Sequence, residues 1–495
     1  MITSPAFRGK RYAVLGLARS GVATVEALLA SGAKVTAWDS REEARAQILP
    51  AQSAGRGTAG EAGGGGAFGP TTDLPLHQPA AGPPPHAAHR EDLVLADPLE
   101  IDLAGFDGVV VSPGVPLNKH PIAEHARRAG VPVIGDIELF ALARPNLPAH
   151  KVVGITGTNG KSTTTALIHH ILETSGVPTL MGGNIGLPIL GRDSLPKGGV
   201  YVLELSSYQI DLTHDLDCDV TVLTNITPDH LDRYDGFEAY VASKKRLFQM
   251  QSPRHVAVIA TEDDQTRAIA AFVRHPSESW DLSSGLAGLV DAGEMDAGLH
   301  WREGNVVEVK STDVEDQSRW PSLQGPHNAQ NAACAIAACR ALGLSDDQIE
   351  QGLRTYPGLP HRMERVAEKG GVLYVNDSKA TNATATAPAL AAYPKIHWIL
   401  GGLPKTDNLD DCAPFFGHVV AGYTIGQAGP LFADILRQAG KPVTESFTLD
   451  QAVRDAAAVA QPGEVVMLSP ACASFDQFKD YEARGEAFRA TVGAL

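Results

Sequence analysis

The sequence predicts an α/β fold in three domains, and three observations lead to this prediction. Short runs of β-branched and aliphatic residues alternate with amphipathic helical segments along most of the 495 residues. Polar and glycine-containing stretches directly follow many of the predicted strands, where parallel sheets place their ligands. Proline-containing stretches at 143–150 and 356–362 resemble linkers. We therefore expect domains at residues 1–142, 143–357 and 358–495.

Composition and charge exclude several classes of partner. The chain is 43% hydrophobic and 20% charged, with a net charge of -16 and a pI near 5.5. Nucleic acid needs basic surfaces, so we do not expect it as the main partner. The N-terminus lacks the apolar core of a signal peptide, and no apolar run approaches the ~18 residues of a membrane span. Together with five cysteines that form no CxxC pair, this predicts a cytoplasmic protein with reduced thiols.

The first domain is predicted to be Rossmann-like. Residues 11–15 and 34–38 have the pattern of buried strands, and a glycine-containing turn at 16–21 leads into the helix between them. Further strands are expected at 108–111 and 131–134. Parallel strands joined by helices are the expected result.

The dinucleotide fingerprint G-x-G-x-x-G is absent from this first unit. Leu15 and Ala18 occupy the expected glycine positions, so Asp39 alone gives weak support for NAD binding. A phosphate can still lie at the helix N-terminus near Arg19 and Ser20.

Residues from about 47 to 92 interrupt the pattern of this domain. Four consecutive glycines at 63–66 and three prolines at 83–85 lie within a stretch rich in alanine, serine and histidine. Such a composition buries little apolar surface, so we expect a flexible surface insert without chemistry.

The second domain opens with a strand, a glycine loop and a helix at residues 152–164, VVGITGTNGKSTT. Gly157 and Gly160 allow backbone amides to approach phosphates, Lys161 neutralises their charge, and the Ser162 hydroxyl suits Mg²⁺. The usual phosphate loop has a glycine five residues before Gly160, where this chain has Ile155. The stretch is therefore a variant P-loop, and it predicts an ATPase-type α/β domain.

Two further residues of this domain follow predicted strands. Glu204 comes after the strand at 200–203, and a carboxylate there commonly binds the Mg²⁺ of a nucleotide. His230 follows the strand at 220–223, so metal ligation or substrate contact is favoured over a structural role. Lys244 lies in a helix, and the residues alone predict only a solvated side chain there.

The third domain is predicted to be a second Rossmann-like unit, with polar blocks after its strands. Asn-Asp-Ser-Lys-Ala-Thr-Asn at 376–382 has six polar side chains in seven residues, which is unusual for plain scaffold. Similar blocks stand at 401–405 and 469–474. Ser469 and Cys472 do not predict nucleophilic catalysis, because no G-x-S-x-G elbow and no nearby histidine accompany them.

These residues resemble a known family. The loop at 157–163, GTNGKST, is similar to the P-loop of the Mur ligases and the folylpolyglutamate synthases. Three more blocks resemble the D-glutamate-adding branch of the Mur ligases: LPHRME at 359–364, NDSKATN at 376–382 and LSPACASFDQF at 468–478. The resemblance extends from about Gly16 to Phe488, and departs from the family in the insert and around 274–320.

The resemblance implies an ATP-dependent ligase that adds D-glutamate to UDP-N-acetylmuramoyl-L-alanine in peptidoglycan precursor synthesis. ATP phosphorylates the substrate carboxylate, and the amine of D-glutamate then attacks the acyl phosphate. The implied cofactors are ATP and Mg²⁺, and the family is usually monomeric. Such a reaction needs cations and positioning rather than a protein nucleophile.

The resemblance also implies roles for individual residues. The ATP-binding residues are Gly157, Thr158, Asn159, Gly160, Lys161, Ser162, Thr163, Asn328, Asn331, Arg362 and Asp377. The metal ligands are Ser162, Glu204, His230 and a carbamylated Lys244, and the catalytic residues are Lys161, His230 and Lys244. Lys244 is favoured over Lys245 because Arg246 falls two residues later, as in the family.

The substrate-binding residues form three implied groups. Those for the muramoyl part are Asn184, Ser206 and Gln209. Those for D-glutamate are Lys379, Thr381, Lys405, Ser474 and Tyr481, where the family often has Phe at the last position. Those for the UDP part are Arg19, Ser20, Asp39, Arg41, Ser112 and Gly114.

Three alternatives remain open at this point. A folylpolyglutamate-type or other sister ligase is disfavoured by the N-terminal domain, since the folylpolyglutamate enzyme starts close to its P-loop. A nucleotide-dependent switch would need no amino-acid pocket, yet the third domain has three polar blocks at strand ends. An NAD oxidoreductase is least favoured, because the glycine fingerprint is missing.

Overall fold

The computed structural model describes the chain in four stretches, residues 1–48, 91–229, 233–274 and 305–495. Contacts group these residues into two compact units, the first with residues 1–147 and 187–194, and the second with residues 148–186 and 195–495. Within the described stretches, no helix is long and apolar enough to cross a membrane.

The first unit contains a parallel five-stranded sheet in the order β3-β2-β1-β4-β5. Its elements are β1 (Arg11–Leu15), α1 (Arg19–Ala30), β2 (Lys34–Trp38), α2 (Glu42–Ala46), β3 (Leu93–Leu95), β4 (Gly108–Val111), α3 (Ile122–Arg128), β5 (Val133–Ile134) and α4 (Asp136–Ala143). Buried aliphatic residues of β1 and β4 pack with Ile122 and Ala126 of α3. The strand–helix alternation predicted from the sequence is therefore confirmed here.

Strand β3 was not predicted from the sequence. It pairs with β2 in parallel, with Val35 opposite Leu93 and Ala37 opposite Leu95. Three residues are too few to show a period-two pattern, so only the neighbouring strand reveals this one. The predicted flexible insert at 47–92 lies, except at its ends, outside the described residues.

The second unit begins with a parallel six-stranded sheet in the order β11-β10-β9-β6-β8-β7. Its elements are β6 (His150–Thr156), α5 (Lys161–Thr174), β7 (Thr179–Gly183), β8 (Gly199–Glu204), α6 (Ser207–Asp211), β9 (Val220–Leu223), α7 (Gly236–Gln249), β10 (Val256–Ala260), α8 (Asp264–Arg274), β11 (Val306–Val309), α9 (Pro326–Leu342) and α10 (Asp346–Thr355). Leu167 and Ile171 of α5 pack with the alanine-rich α9 and with β6 in one core. Small alanine side chains allow these helices to approach closely, and Gly343 ends α9 with a left-handed φ of 99°.

A further six-stranded sheet follows in the same unit, in the order β12-β13-β17-β14-β15-β16. Its elements are β12 (Glu364–Lys369), β13 (Val372–Asn376), α11 (Ala383–Ala391), β14 (Ile396–Gly401), β15 (Val419–Ile425), α12 (Gly429–Gln438), β16 (Val443–Phe447), α13 (Leu449–Val459), β17 (Val465–Leu468) and α14 (Tyr481–Gly493). Only the hairpin partner β12 is antiparallel among these strands. Two apolar cores lie on the sheet, one built with α11 and α12 and the other with α13 and α14.

These three sheets confirm the predicted α/β class with Rossmann-like and P-loop sheets. The stretch around 274–320, where the sequence departs from the family, has β11 in its described part, and residues 275–304 lie outside that part. All five cysteines lie within the described residues, where they are buried and form no disulfide bond. The domain boundaries at 142 and 357 stay a prediction.

Candidate active site

The loop between β6 and α5 has the shape expected of a phosphate-binding loop. Gly157 and Gly160 have positive φ angles of 148° and 81°, which other residues adopt only with strain. A Cβ at position 157 would overlap Thr224 Oγ1, and one at 160 would overlap Asn331 Oδ1. Glycine is therefore required at both positions, by conformation and by space.

The end of β9 holds this loop in place. Asn225 accepts the amide of Thr158 at its backbone oxygen and the amide of Asn159 at Oδ1, both at 2.8 Å. The Thr224 hydroxyl donates to the backbone oxygen of Asn159 at 2.7 Å. These contacts fix the backbone of the loop while the first amides of α5 have no side-chain cap. Those amides can donate hydrogen bonds to an anion at the helix N-terminus.

Close packing explains the position of the glycine that precedes the loop. Gly154 lies inside β6, where a Cβ would be 2.6 Å from Cys218 Sγ and 3.4 Å from Leu205 Cδ1. Ile155, in the place of the usual loop glycine, is fully buried in the core of the sheet. At the position of the usual loop glycine, this chain thus still has a strand residue, since β6 ends only at Thr156.

Glu204, at the end of β8, is 2% exposed and has one oxygen in use. Asn184 Nδ2 donates to Glu204 Oε1 at 2.9 Å, whereas Oε2 is buried and has no hydrogen-bond partner among the described residues. A buried carboxylate oxygen left without a partner is costly, so it calls for a cation or a donor from a ligand. This geometry fits a metal ligand.

Lys244 of α7 points to the P-loop. Its side chain is 1% exposed, and Nζ donates to the Gly157 backbone oxygen at 2.7 Å and lies 4.5 Å from the centre of the Tyr240 ring. Tyr240 in turn shares a 3.1 Å hydrogen bond with Thr158 Oγ1. The neighbouring Lys245 has its ammonium over the Phe272 ring instead.

A cavity of about 470 Å³ lies beside the P-loop. It is lined by Thr158, Asn159, Gly160, Lys161, Ser162, Asn184, Ile185, Glu204, Leu359, Pro360, His361, Arg362, Lys379, Tyr481 and Glu482. Arg362 Nη2 donates to Ser162 Oγ at 3.1 Å, and Lys379 Nζ lies 3.9 Å from the centre of the Tyr481 ring. The cavity is therefore bounded by the P-loop, Glu204, and Lys379 and Tyr481, two of the five side chains implied for D-glutamate.

Cations crowd this cavity. Burial, followed by the charge of Arg362 among other groups, lowers the pKa of Lys379. Burial also lowers the pKa of Lys161, and it lowers the pKa of Lys244 well below its ordinary value, with Lys161 as the next cause. Like charges held close together in a protein favour a polyanionic ligand, which relieves their repulsion.

Several residues implied for ligands have structural partners here. Ser206 and Gln209 form a capping box at the start of α6, with the Gln209 amide 3.3 Å from Ser206 Oγ. Asn331 and Asn328 are buried in α9, where Asn331 Nδ2 donates to Asn328 Oδ1 at 3.2 Å. These four side chains do not line the cavity, although Asn331 packs against Gly160 of the P-loop.

Asp377 lies behind the cavity. It is 6% exposed, and it accepts the Ser469 hydroxyl at 2.7 Å and the Met363 amide at 3.1 Å. Burial raises its pKa to about 7, against the effect of these two donors. The remaining residues implied for D-glutamate lie on neighbouring loops, where Lys405 Nζ donates to Thr381 Oγ1 at 3.2 Å and Ser474 is buried.

The residues implied for UDP belong to the first unit, at the carboxyl edge of its sheet. Asp39 accepts the Leu17 amide at 2.8 Å and the amide and side chain of Arg41, which lowers the pKa of its carboxyl to about 2, with the Arg41 side chain as the largest cause. Ser112 Oγ donates to the Gly16 backbone oxygen at 2.9 Å. Arg19 and Ser20 begin α1, whose N-terminus has no side-chain cap, and Gly114 follows β4 in the next loop.

One implied metal ligand and several unforeseen residues complete this description. His230 lies outside the described residues. Sequence reasoning missed Asn225, Tyr240 and Glu482, which hold the loop or line the cavity. Their only signal was proximity: Asn225 follows β9, Tyr240 precedes Lys244 by one helical turn, and Glu482 follows Tyr481.

Comparisons with known proteins identify the family. The model of the Mur ligase middle domain matches residues 155–339, and that of the Mur ligase, glutamate ligase domain matches residues 361–472. This chain belongs to the Mur ligase family.

Relatives match along the whole chain. The chain is 58% identical to the UDP-N-acetylmuramoylalanine–D-glutamate ligase of Novosphingobium aromaticivorans, over 100% of this chain and 97% of the relative. It is 54% identical to the protein of the same name from Zymomonas mobilis, over 100% of both chains.

Solved structures share the fold at lower identity. UDP-N-acetylmuramate-alanine ligase from Thermotoga maritima matches with a TM-score of 0.51 at 15% identity, over 98% of this chain and 99% of the other. UDP-N-acetylmuramoylalanyl-D-glutamyl-2,6-diaminopimelate–D-alanyl-D-alanyl ligase from Acinetobacter baumannii matches with a TM-score of 0.53 at 16% identity, over 81% of this chain and 92% of the other.

Proposed function

We propose that this chain joins D-glutamate to UDP-N-acetylmuramoyl-L-alanine at the expense of ATP, in peptidoglycan precursor synthesis in the cytoplasm. The observation that carries the proposal is that Lys161 of the P-loop and Lys379 of the loop after β13 line the same cavity. The names of relatives at 54–58% identity support the same substrates. We further expect a monomer, as the family resemblance implies.

The P-loop side of the cavity is suited to the phosphates of ATP. The amides at the start of α5 lack a side-chain cap, and the Lys161 ammonium is held within the loop by the backbone oxygens of Gly157 and Thr158, at 2.9 and 2.7 Å. Arg362 adds a second cation beside Ser162. These groups lower the cost of charge that develops when a carboxylate oxygen attacks the γ-phosphorus and ADP leaves.

The donor set also fits Mg²⁺. Glu204 offers a buried oxygen that has no hydrogen-bond partner in the described part of the chain, and Ser162 lines the same cavity. We propose these two as ligands, with His230 and a carbamylated Lys244 completing the set implied by the family. When bound, the ion would neutralise phosphate charge and supply Lewis-acid polarisation.

The environment of Lys244 favours its carbamylation. Only the neutral amine reacts with CO₂, and burial beside Lys161 lowers the pKa of Lys244. The ammonium first releases a proton; the neutral nitrogen then attacks the CO₂ carbon and releases a second proton, so a buried cation becomes a carbamate anion. That change would remove the repulsion between Lys244 and Lys161 and create an oxygen ligand beside the P-loop.

The loops of the third sheet are proposed to bind D-glutamate. Lys379 lines the cavity, while Thr381, Lys405 and Ser474 lie on the adjoining loops, and the Tyr481 ring supports the Lys379 ammonium. Two carboxylates per D-glutamate match these cations. The amine attacks the acyl carbon, phosphate leaves, and the proton of the amine is released to solvent or a nearby base.

The other implied contacts extend the proposal to the rest of the substrate. Asn184 lines the cavity, while Ser206 and Gln209 stand at the start of α6, where the muramoyl group would reach them. The UDP part is assigned to the first unit, through Arg19, Ser20, Asp39, Arg41, Ser112 and Gly114. A protein nucleophile is not required: burial raises the pKa of the Cys472 thiol to about 12, so it stays protonated.

The direct test is phosphate release from ATP in the presence of UDP-N-acetylmuramoyl-L-alanine and one amino acid at a time. We expect release that depends on both the muramoyl substrate and D-glutamate, and little release with L-glutamate or meso-diaminopimelate. Lys161→Ala should abolish release while the thermal unfolding curve is retained. Release without the muramoyl substrate, or stimulated by diaminopimelate and not D-glutamate, would reject the proposal.

A further inference from the structure

Arg484 of α14 is one of the largest fully buried side chains of the protein, with 1% exposure. Within the described residues its guanidinium forms no ion pair, and it donates to four oxygens instead. Nε donates to Ser378 Oγ at 3.0 Å, and Nη2 donates to the Ser378 backbone oxygen at 2.8 Å. Nη2 also donates to the Cys472 backbone oxygen at 3.0 Å, and Nη1 to that of Ala473 at 3.3 Å.

The acceptors belong to loops at the carboxyl edge of the third sheet. Ser378 follows β13, whereas Cys472 and Ala473 follow β17. The loop after β14 joins them, because Leu403 and Ala473 exchange backbone hydrogen bonds of 2.9 and 3.0 Å. Position 402 must be glycine, since a Cβ there would lie 3.1 Å from Arg484 Nη1 and would overlap the Ala473 oxygen. Three loops thus meet around one guanidinium.

Each of these loops carries a residue proposed for D-glutamate. Lys379 directly follows Ser378 and Ser474 directly follows Ala473, both of which accept from Arg484, whereas Lys405 stands two residues after Leu403, which is tied to Ala473. Ser378 Oγ also donates to the Tyr481 backbone oxygen at 2.9 Å, which ties the start of α14 to the same group.

We propose that Arg484 is a positioning residue for the amino-acid pocket: its guanidinium fixes the relative placement of the three loops that carry the D-glutamate contacts. This inference rests on the proposed function. Arg484 itself does not line the cavity, so it acts through the loops rather than on the substrate.

The chemistry of the side chain supports this role over simple packing. A buried guanidinium is costly, and an apolar side chain would fill the same space at lower cost. A planar fork with several donors, in contrast, can hold carbonyl oxygens of separate loops in one fixed arrangement, which a lysine ammonium on a flexible stem cannot reproduce. Burial lowers the pKa of Arg484 to about 10, so it remains charged at neutral pH.

The test is Arg484→Lys, which keeps the charge and loses the fork. We expect KM for D-glutamate to rise about tenfold or more, because small displacements of binding groups are costly. KM for ATP and for the muramoyl substrate should stay within about twofold, since their proposed groups do not contact Arg484. The matched control is Phe488→Leu on the same helix: Phe488 is fully buried in the apolar core and belongs to a different contact set. It should lower the unfolding temperature without a change in KM for D-glutamate.

Equal changes in KM for all three substrates, or an unchanged KM for D-glutamate, would overturn the inference. Should Arg484→Lys fail to fold, Ser378→Ala removes the acceptor of Nε and the bond to Tyr481 while it keeps a small side chain. A selective rise in KM for D-glutamate in that variant would support the role, and its absence would reject it. Failure of the proposed function would look different, as wild-type protein would release no phosphate in response to D-glutamate.

Discussion

Lys244 and Lys245 are neighbours in α7, but their ammonium groups contact different parts of the protein. Lys244 is 1% exposed and donates to the Gly157 backbone oxygen, whereas Lys245 lies over the Phe272 ring. Residues one apart on a helix face directions about 100° apart, so only one of the two can reach the P-loop. Lys244 is the one that contacts the P-loop, and both its role as a ligand and its carbamylation stay predictions.

We predict that Lys244→Ala loses activity by about 100-fold or more, because a charged ligand beside the phosphates is removed. A small carboxylate such as acetate or formate should restore part of the activity by occupying the space of the lost carbamate. Lys245→Ala is the matched control and should remain within about threefold of wild type, as its side chain touches no proposed ligand. Steady-state phosphate release by wild type, Lys244→Ala and Lys245→Ala, with and without added carboxylate, measures these effects. Full activity of Lys244→Ala without carboxylate would contradict this role.

At the scale of elements, β6, its loop and α5 show how packing sets a motif. Gly154 is a glycine because Cys218 Sγ of the neighbouring segment occupies the space of a side chain. Gly157 and Gly160 are glycines because Thr224 and Asn331 press against the loop backbone. Each glycine of this stretch therefore has a packing cause in the neighbouring elements.

We predict that Gly154→Ala destabilises the second unit by about 1–3 kcal/mol, the usual cost of overpacking a core. The double variant Gly154→Ala with Cys218→Ala should lose less stability than the sum of the two single variants, because removal of Sγ makes room for the new methyl group. Urea unfolding of the four proteins gives this coupling. Strict additivity would show that the contact with Cys218 is not the limiting one.

Asp377, at the end of β13, is expected to make the stability of the protein depend on pH. Burial raises its pKa from the ordinary 3.8 to about 7, so the folded state keeps a proton that the unfolded state releases. The stability that this proton contributes is present below about pH 4 and is lost as pH rises towards 7, by up to about 1.4 kcal/mol per pH unit. The side chain of Asn cannot ionise. We predict that wild type loses stability relative to Asp377→Asn between pH 5 and pH 7, as measured by urea unfolding without nucleotide; parallel pH profiles would contradict the assignment.

Much of this architecture is readable from the chain, because buried parallel strands are continuous apolar runs and their ends carry polar residues. β1, β2, β4 and β9 begin and end at the predicted residues. β3 was not predicted because three residues are too few to show a periodic pattern, and β5 is shorter than the predicted strand at 131–134. Contacts across the fold, such as Arg484 with three loops, cannot be read from sequence, since the partners lie up to 106 residues apart.

At the scale of the whole molecule, the residues proposed for ligands divide between the two compact units. Those proposed for ATP and D-glutamate belong to the second unit, and those proposed for UDP belong to the first. Both assignments are implied by the family resemblance. Four of the residues implied for ligands already have hydrogen-bond partners within the protein. Ser206 and Gln209 cap α6, and Asn328 and Asn331 bond to each other in α9.

This division predicts that the two nucleotides stabilise different units. A ligand that binds only the folded state contributes about 2.7 kcal/mol at 100 times its Kd, and the gain appears where the ligand binds. UDP should therefore slow amide hydrogen exchange at 16–21 and 39–41, since α1 begins without a side-chain cap and its first amides can bond to phosphate. A non-hydrolysable ATP analogue with Mg²⁺ should slow exchange at 157–163, where α5 begins in the same way. Uridine, which lacks phosphate, serves as the control and should protect the helix start less than UDP. Protection by UDP at 157–163 alone, with none in the first unit, would show that the assignment of its residues is wrong.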